Sequence, residues 1–543
     1  MNSYDNYYPR PLLKRNSFFS LNGLWELNGQ NINVPFPPEA KLSGYDDDLG
    51  NLVYRKRFTL PENFYKESDR VILHFGAIDQ LADVFLNDTF ITHNEGGYLP
   101  FSVDISRYLE DDNLLEVRVT DELDYFYPYG KQSKKPAGMW YTPVSGIWKS
   151  VWIEALPQNG IENLNIKTDM NSLHLQILSN AQKFKVEFEN YCEVFDSNII
   201  DIAIPEPHLW SLQDPYLYKL KITTDDDQIE SYFGLRKIET RIINGHERLF
   251  MNNRPLFIKG LLDQGYFEKG IYTPENVKEY ERDIVGIKEL GFNTLRKHIK
   301  IEDEAFYYYC DKHGILVIQD MVNSGKYSFF KDTILPTIGF LKLRRKAKDK
   351  KRLEFFLDQS RRTIGLLKSH PSLIGYTIYN EGWGQQEASA CYEILKKEDP
   401  DRLFDATSGW FFDDKSDFDS YHIYFRNKVL KGKQRLLLLS ECGGFTRNIE
   451  EHSDSKKTSY GYGKTDSEEE LTERIIDMHR KMVIPSIENG LVGYIMTQIS
   501  DVEGEINGMF TYDRSVCKVN KKKILAANNE LTRIYDGVCG SAE

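Results

Sequence analysis

Short strands dominate the first part of the chain. From about residue 20 to 155, apolar and polar positions alternate in brief runs such as 71–76 and 114–119, and Gly, Pro, Asn and Asp separate these runs. This pattern is typical of an antiparallel β-sandwich. A second strand-rich stretch, from about 157 to 240, has the length of a small immunoglobulin-like sandwich. We therefore expect one β-sandwich domain over residues 1–156 and a second over residues 157–242.

The pattern changes beyond Arg248, where apolar runs of four to seven residues alternate with longer amphipathic segments of helical period. Alternation of this kind predicts repeated βα units. The candidate strands are 256–260, 294–298, 315–320, 373–380, 403–407, 420–424, 436–440 and 492–498. Their number and spacing predict a (β/α)8 barrel over residues 243–543, although a doubly wound sheet would alternate similarly.

Polar residues at the ends of these strands favour the barrel. They are Arg296, His298, Asp320, Asn380, Glu381, His422, Tyr424, Glu441 and Gln498. In a barrel the C-terminal strand ends form one face, and the chemistry of the fold takes place there. Residues far apart in sequence are therefore expected to line one pocket.

Composition narrows the choice of partner and compartment. The formal net charge of −13 argues against a nucleic-acid partner, which needs a basic surface. The six cysteines are scattered without CxxC pairs, so neither a disulfide framework nor a zinc site is predicted. Neither a secretion signal nor an apolar run long enough to span a membrane is recognised, so we expect a cytoplasmic protein.

Two glutamates are the best candidates for catalysis. Glu381 and Glu441 each follow an apolar strand and have a glycine within the next two residues. Hydrolysis of a glycosidic bond needs an acid for the leaving oxygen and a second carboxylate near the anomeric carbon. The two residues would lie on the fourth and seventh strands, across the barrel mouth. A single glutamate at such a place is more often an ion pair or a cap, but two in matched contexts favour catalysis.

Further polar residues are candidates for binding the sugar or supporting the glutamates. Asn380 is predicted to form a hydrogen bond with a sugar hydroxyl, with an Asx turn as the alternative. Arg296 is predicted to keep Glu441 ionised, with a structural salt bridge as the alternative. His298 and His422 are candidate sugar ligands, with hydrogen-bonded core histidines as the alternative. Tyr424 is expected to orient Glu441 through its hydroxyl, with simple packing of the ring as the alternative.

Several motifs resemble glycoside hydrolase family 2, the family of many β-galactosidases, β-glucuronidases and β-mannosidases. Segments 21–25, 75–79, 96–101 and 145–148 are similar to its jelly-roll module, and 209–218 and 233–236 to its immunoglobulin-like module. Segments 289–298, 370–382 and 440–441 are similar to its catalytic signatures. The resemblance implies Glu381 as acid/base and Glu441 as nucleophile, and it identifies the first sandwich as a jelly roll.

The sequence departs from the family in places that select the sugar. Glucuronidases of the family carry an Asn-x-Lys motif, but here Met509 follows Asn507 and Gly508 in place of the lysine. Family members also place a tryptophan on the eighth strand, whereas the last tryptophan here is Trp410. Tyr494 or Gln498 is the candidate to contribute to sugar binding there instead. Trp410 is also among the predicted substrate-binding residues.

The leading hypothesis is a retaining exo-β-glycosidase acting on neutral β-hexosides such as β-galactosides. β-Glucuronidase and β-mannosidase remain open, and a carbohydrate-binding protein with an inactive barrel is the alternative from another class. The polar segment 446–470 is predicted to form a substrate-facing loop or lid. No cofactor is expected, and the acidic residues Asp501, Glu503 and Glu505 fit solvation better than a metal site. A homo-oligomer is possible, with the sandwiches as subunit contacts.

Overall fold

The computed structural model of the chain describes residues 4–46, 50–328, 330–334, 348–424, 426–453 and 460–540. These residues form two β-sandwiches followed by a barrel of parallel strands. The predicted fold class is confirmed.

The first sandwich contains twelve strands. They are β1 (Phe18–Ser20), β2 (Gly23–Leu27), β3 (Gln30–Val34), β4 (Leu52–Phe58), β5 (Arg70–Phe75), β6 (Ile78–Asp79), β7 (Leu81–Leu86), β8 (Thr89–Glu95), β9 (Phe101–Asp104), β10 (Asn113–Thr120), β11 (Gly146–Ile147) and β12 (Val151–Leu156). A four-stranded sheet, β1-β12-β5-β9, faces a six-stranded sheet, β3-β2-β4-β10-β7-β8. Alternate side chains such as Leu115 and Val117 of β10 are buried between them, as the period-2 pattern predicts.

The second sandwich contains seven strands. They are β13 (Asn163–Thr168), β14 (Ser172–Leu178), β15 (Phe184–Phe188), β16 (Tyr191–Phe195), β17 (Ile199–Ala203), β18 (Tyr218–Thr223) and β19 (Gln228–Phe233). Sheets β13-β14-β17 and β16-β15-β18-β19 are both antiparallel. Their inward residues, among them Leu175 and Leu220, form one core. This is the predicted immunoglobulin-like sandwich.

A small antiparallel sheet precedes the barrel. It consists of β20 (Ile238–Ile243), β21 (His246–Met251) and β22 (Arg254–Pro255). Leu249 and Met251 of β21 pack with apolar residues of the barrel strands, including Leu436 and Val492. The domain boundary predicted between residues 242 and 243 falls in this hairpin and stays a prediction.

The barrel contains eight parallel strands. They are β23 (Ile258–Asp263), β24 (Thr294–Lys297), β25 (Leu316–Asp320), β26 (Leu373–Thr377), β27 (Leu403–Asp405), β28 (Phe418–Ile423), β29 (Leu436–Gly443) and β32 (Leu491–Thr497). Their order in the sheet is β27-β26-β25-β24-β23-β32-β29-β28. The two end strands also meet, because the hydroxyl of Ser420 donates to the carbonyl oxygen of Thr407 at 3.3 Å. Each strand matches one predicted from the sequence.

Helices surround the barrel strands. They are α1 (Lys278–Glu289), α2 (Glu304–His313), α3 (Lys350–Leu367), α4 (Ala388–Glu398), α5 (Glu468–Met478), α6 (Ile484–Glu488) and α7 (Lys521–Gly540). Among the described residues, none of the helices combines the length and the apolar character needed to cross a membrane. Strands β30 (Thr446–Arg447) and β31 (Lys464–Thr465) form a two-stranded sheet within the predicted loop 446–470.

The first sandwich contacts the catalytic end of the barrel through the segment between β10 and β11. The backbone N–H of Tyr129 donates to the carbonyl oxygen of Asn323 at 3.1 Å, and its hydroxyl donates to that of Gly325 at 3.0 Å. Both acceptors follow β25 and so lie at the C-terminal end of the barrel. The sandwich therefore forms part of the wall around the strand ends.

Candidate active site

The fold brings Glu381 and Glu441 together. Glu381 lies four residues beyond the end of β26, and Glu441 lies in the last part of β29. The two side chains are buried, and a carboxylate oxygen of one lies within 4.8 Å of a carboxylate oxygen of the other. Residues on the fourth and seventh barrel strands thus converge on one point.

The backbone at Glu381 has an unusual conformation. Its φ is +47°, in the left-handed region, and Gly382 and Gly384 follow with φ of +71° and +64°. A non-glycine residue held in this region costs roughly 1–3 kcal/mol, and such strain clusters at functional sites. The N–H of Glu381 donates to the carbonyl oxygen of Ser408 at 3.2 Å, which fixes the turn against the next strand.

Arg296 connects the parts of the site. Its guanidinium is buried and donates five hydrogen bonds to oxygen acceptors, and Nη1 also lies 3.5 Å from His422 Nε2. The acceptors are Asp320 Oδ1 at 2.9 Å, the carbonyl oxygen of Ser440 at 3.1 Å, Glu441 Oε1 at 3.1 Å, Asn380 Oδ1 at 2.9 Å and Ser408 Oγ at 3.1 Å. A planar fork with five donors suits this arrangement. Arg296 contacts Glu441, as predicted, and it also forms the buried salt bridge that was the alternative.

The surroundings of Glu441 favour its ionised form. Burial raises the pKa of this carboxyl, but the electrostatic interactions with His422 and Arg296 outweigh burial, so the pKa is lowered from its usual value. The hydroxyl of Tyr424 donates to Glu441 Oε2. Burial and the negative charge of Glu441 raise the pKa of Tyr424 well above its usual value, so the phenol keeps its proton.

The two histidines occupy different positions. His422 Nδ1 lies 2.7 Å from Glu381 Oε1 and 3.5 Å from Glu441 Oε2, so this ring lies between the two glutamates. His298 Nδ1 lies 2.7 Å from Asp320 Oδ2. Burial, with the charge of Lys131, lowers the pKa of His298 to about 4, so this ring is neutral near pH 7.

The remaining predicted residues lie around this centre. Asn380 Oδ1 accepts from Arg296 and from the Ser408 hydroxyl at 2.8 Å, which fixes the amide plane. Trp410 is half-buried, with its ring 6.0 Å from that of His422. Gln498 follows Thr497, whose hydroxyl is 3.1 Å from that of Tyr424. Every predicted site residue is therefore near the C-terminal end of the barrel.

Two residues that were expected to affect sugar selection are in the core instead. Tyr494 is fully buried, and its hydroxyl donates to Asn528 Oδ1 of α7 at 2.6 Å. Its expected role in sugar binding is wrong, because alternate residues of β32 face outward to the helices. Met509 is also buried in the core between strands and helices. Its side chain therefore belongs to the hydrophobic core.

The predicted loop 446–470 reaches the site, although residues 454–459 lie outside the described chain. The ring of Tyr462 stacks on that of Tyr424 with centroids 4.1 Å apart. Tyr460 and Tyr462 join their hydroxyls at 3.1 Å. The role of this loop as a lid stays a prediction.

Carboxylates near the eighth strand bind protein donors. Asp501 Oδ1 accepts from the ammonium of Lys518 at 2.6 Å, and Glu505 Oε1 accepts from the amide of Asn507 at 2.9 Å. Within the described chain, the group with metal-ligand spacing is Glu381, His422 and Glu441. The guanidinium of Arg296 opposes a cation there, so the geometry suits acid/base chemistry better than metal binding.

Three family models match successive parts of the chain. They are the glycosyl hydrolase 2 galactose-binding domain-like model over residues 39–147, the glycosyl hydrolases family 2 model over 153–236, and the family 2 TIM barrel domain over 242–435. The chain belongs to glycosyl hydrolase family 2. The resemblance found from sequence motifs is confirmed.

Relatives within family 2 include β-galactosidases. That of Psychromonas ingrahamii is 25% identical over 426 residues, covering 70% of this chain and 38% of the relative. That of Lactococcus lactis is 28% identical over 396 residues, covering 68% and 36%. The chain thus spans less than two fifths of the length of these two relatives.

Solved structures with the same fold include β-glucuronidases. That of an uncultured Clostridium sp. is 19% identical, with a TM-score of 0.73 over 97% of this chain and 100% of the other. That of Ruminococcus gnavus is 17% identical, with a TM-score of 0.76 over 98% and 99%. At this identity the likeness shows the fold alone.

Some pocket residues of this family 2 chain were not predicted. Trp383 follows Glu381 by two residues, and its ring lies 5.3 Å from the rings of both Trp140 and Tyr327. The glycine-flanked position of Trp383 was an available signal. Lys131 and Trp140 come from the first sandwich, and no spacing in the sequence relates them to the barrel.

Proposed function

We propose that the chain is a retaining exo-β-glycosidase that hydrolyses terminal β-linked sugars, with a β-galactoside as the leading substrate. The observation that carries the proposal is the approach of two carboxylates in unequal surroundings. Oxygens of Glu381 and Glu441 lie within 4.8 Å, which favours the short spacing of retaining enzymes, about 5–5.5 Å, over the 6.5–9.5 Å of inverting ones.

In the first step Glu441 would attack the anomeric carbon while Glu381 protonates the departing oxygen. Arg296 and Tyr424 direct their donors at Glu441, so they hold one carboxylate oxygen each and keep the group ionised. His422 Nδ1 fixes the carboxyl of Glu381 from the side. The bond from sugar to leaving group breaks, and a covalent bond from sugar to Glu441 forms.

In the second step Glu381, now a carboxylate, would take a proton from water while the water oxygen displaces Glu441. Two displacements at the same carbon restore the original configuration. Asn380 would contribute its amide NH2 to a sugar hydroxyl, because its oxygen is already used by Arg296 and Ser408.

The names of the relatives support the choice of sugar. β-Galactosidases match in sequence over about 70% of this chain, which favours a β-galactoside. β-Glucuronidase is the second candidate because proteins of that name share the fold over 97% of the chain. β-Mannosidase, and an inactive carbohydrate-binding protein, remain alternatives. A cytoplasmic location and a homo-oligomer stay predictions.

The test is hydrolysis of aryl β-glycosides (galactoside, glucuronide, mannoside and glucoside) by the wild type, Glu381→Ala and Glu441→Ala. The exposed Glu488→Ala is the control. We expect a loss of about 10³-fold or more in kcat for both site variants, since each removes a group that acts on the reacting atoms. Azide should rescue Glu441→Ala to an α-glycosyl azide and Glu381→Ala to a β-glycosyl azide.

Full activity in either site variant would refute the assignment of roles. A first product of inverted configuration, seen by NMR, would refute retention. A wild type that binds sugar but hydrolyses none of the glycosides would favour the inactive binding protein.

A further inference from the structure

Lys131 places a positive charge beside the active site. It belongs to the segment between β10 and β11 of the first sandwich, and its side chain is buried. Its Nζ lies 5.5 Å from the centre of the Trp383 ring and 5.9 Å from that of Tyr141. Trp383 follows the proposed acid/base Glu381 by two residues, so the ammonium is close to the catalytic centre.

Lys131 differs from the other buried lysines of the described chain. Each of those has oxygen acceptors for its ammonium: Lys149, Lys259, Lys297, Lys300 and Lys518. For Lys131, the described residues supply two aromatic faces and neither an oxygen acceptor nor an ion pair. Its three N–H groups therefore have no hydrogen-bond acceptor among the described residues.

The aromatic contacts compensate the ammonium only in part. A cation over an aromatic ring gains about 0.5–2 kcal/mol, whereas burial of an unpaired charge costs more than that. The indole N–H of Trp383 is also buried without a partner among the described residues. Two neighbouring donors with no acceptor indicate a ligand that brings the acceptor.

The segment that carries Lys131 is firmly held. Gln132 Nε2 donates to Asp79 Oδ2 at 2.8 Å and to the Tyr98 hydroxyl at 3.0 Å. Gly130 has a φ of +63°, and an added Cβ there would lie 2.6 Å from the hydroxyl of Tyr98. Lys131 is thus presented to the barrel on a preorganised support, as binding groups are.

Other charges nearby leave the ammonium available. Glu505 accepts hydrogen bonds from the hydroxyl of Tyr141, whose ring contacts Lys131, and from the amide of Asn507. On the other side, the charge of Lys131 contributes to the low pKa of His298, so the ammonium lies within Coulombic range of this residue of the site.

We infer that Lys131 is a specificity-determining residue that binds an anionic substituent, a carboxylate or a sulfate ester, on the sugar held in the active site. A neutral hydroxyl would satisfy one N–H but leave the charge unbalanced, whereas an anion forms a charge-assisted bond. The inference rests on the proposed glycosidase function and specifies a substrate whose sugar carries a negative charge.

The test compares nitrophenyl β-galactoside, β-galactoside 6-sulfate, β-galacturonide and β-glucuronide with the wild type, Lys131→Met, Lys131→Arg and Lys135→Met. Lys135 is an exposed lysine of the same segment and serves as the matched control. We expect the wild type to prefer one of the anionic glycosides. Lys131→Met should lower the ratio of kcat/KM on that substrate to kcat/KM on the neutral galactoside by about 10- to 100-fold, mainly through KM. Lys131→Arg should recover part of the loss.

The sulfate and uronate arms distinguish the two anions. Hydrolysis of the neutral galactoside alone, or equal losses on neutral and anionic substrates, would overturn the inference and leave the proposed function intact. Absence of hydrolysis on every substrate would instead count against the proposed function. In that case the affinities for galacturonic acid, galactose 6-sulfate and galactose are measured by calorimetry. Tighter binding of at least one anionic sugar than of galactose, lost in Lys131→Met, supports the inference. Equal binding of the three sugars overturns it. Melting temperatures of the variants separate loss of binding from loss of folding.

Discussion

Replacing Arg296 by lysine is expected to lower both activity and stability while keeping the positive charge. The guanidinium donates five hydrogen bonds inside the barrel, to Asp320, Ser440, Glu441, Asn380 and Ser408. A lysine ammonium has three N–H groups, so at least two of these acceptors lose their donor. The acceptors are buried, and water cannot replace the missing donors without a change in packing.

The size of the effect follows from these lost bonds. A hydrogen bond contributes about 1 kcal/mol between neutral groups and about 1.5–3 kcal/mol when one partner is charged. Two lost bonds therefore predict a decrease of roughly 2–4 kcal/mol in the free energy of unfolding. If one of them is the bond to Glu441, kcat/KM should decrease by about 10- to 100-fold, since each 1.36 kcal/mol is a factor of ten.

The pH dependence supplies a separate check. Arg296 helps to lower the pKa of Glu441, so a more distant ammonium lets that pKa rise, and the acidic limb of the kcat/KM profile should move to higher pH. A carboxyl with a depressed pKa stabilises the fold above its unfolded pKa, and this contribution is lost as the pH falls through the folded pKa. The stability difference between wild type and variant should accordingly be full at pH 7 and shrink below about pH 4.

The assays are urea unfolding at several pH values and pH–rate profiles on the best aryl glycoside. Arg361→Lys is the control, because this arginine pairs with Glu398 on the surface between α3 and α4. It should change stability by less than about 0.5 kcal/mol. A variant Arg296→Lys with wild-type kcat/KM and an unmoved acidic limb would refute the role given to the guanidinium.

Three further predictions test the site and its support. Tyr424→Phe removes the phenol donor to Glu441, so kcat/KM should decrease about 10-fold or more and the acidic limb should shift upward; an unchanged profile would contradict this. Burial raises the pKa of Asp405 to about 7, so the contribution of this carboxyl to stability is lost as the pH rises through 7. Asp405→Asn should therefore increase the free energy of unfolding in urea by about 2–4 kcal/mol at pH 8 and by less at pH 5. An equal increase at both pH values would refute the reasoning. Gly384→Ala should lower the free energy of unfolding by more than about 2 kcal/mol, because the φ of Gly384 is +64° and a Cβ would lie 1.7 Å from a backbone carbonyl oxygen. The control Gly365→Ala has open space in α3 and should be neutral or stabilising. Similar melting temperatures for the two variants would contradict this prediction.

The sequence by itself determined the succession of elements. Period-2 alternation is a local property, and it predicted the sandwich strands, while apolar runs followed by polar strand ends predicted the eight barrel strands. Glu381 and Glu441 were identifiable because each follows such a strand and precedes glycine. Parallel strands in a barrel bring those ends to one face, so local pattern and fold class together sufficed to pair them.

Only the tertiary structure decided which partners surround the two glutamates. The position of His422 between them, and the orientation of Asn380 by Ser408 and Arg296, depend on distances between strands that no local pattern records. Tyr494 was misjudged for the same reason, since a buried strand with two apolar faces does not reveal which side chains face inward.

The contribution of the first sandwich was likewise beyond the sequence. Lys131 lies 250 positions before Glu381 along the chain, and its segment reads as an ordinary polar loop. Docking of one domain on another brings its ammonium to the barrel mouth, and docking depends on surfaces assembled from many separate segments. The sequence thus determined the elements and the catalytic pair, whereas contacts between distant segments decided the electrostatics and the walls of the pocket.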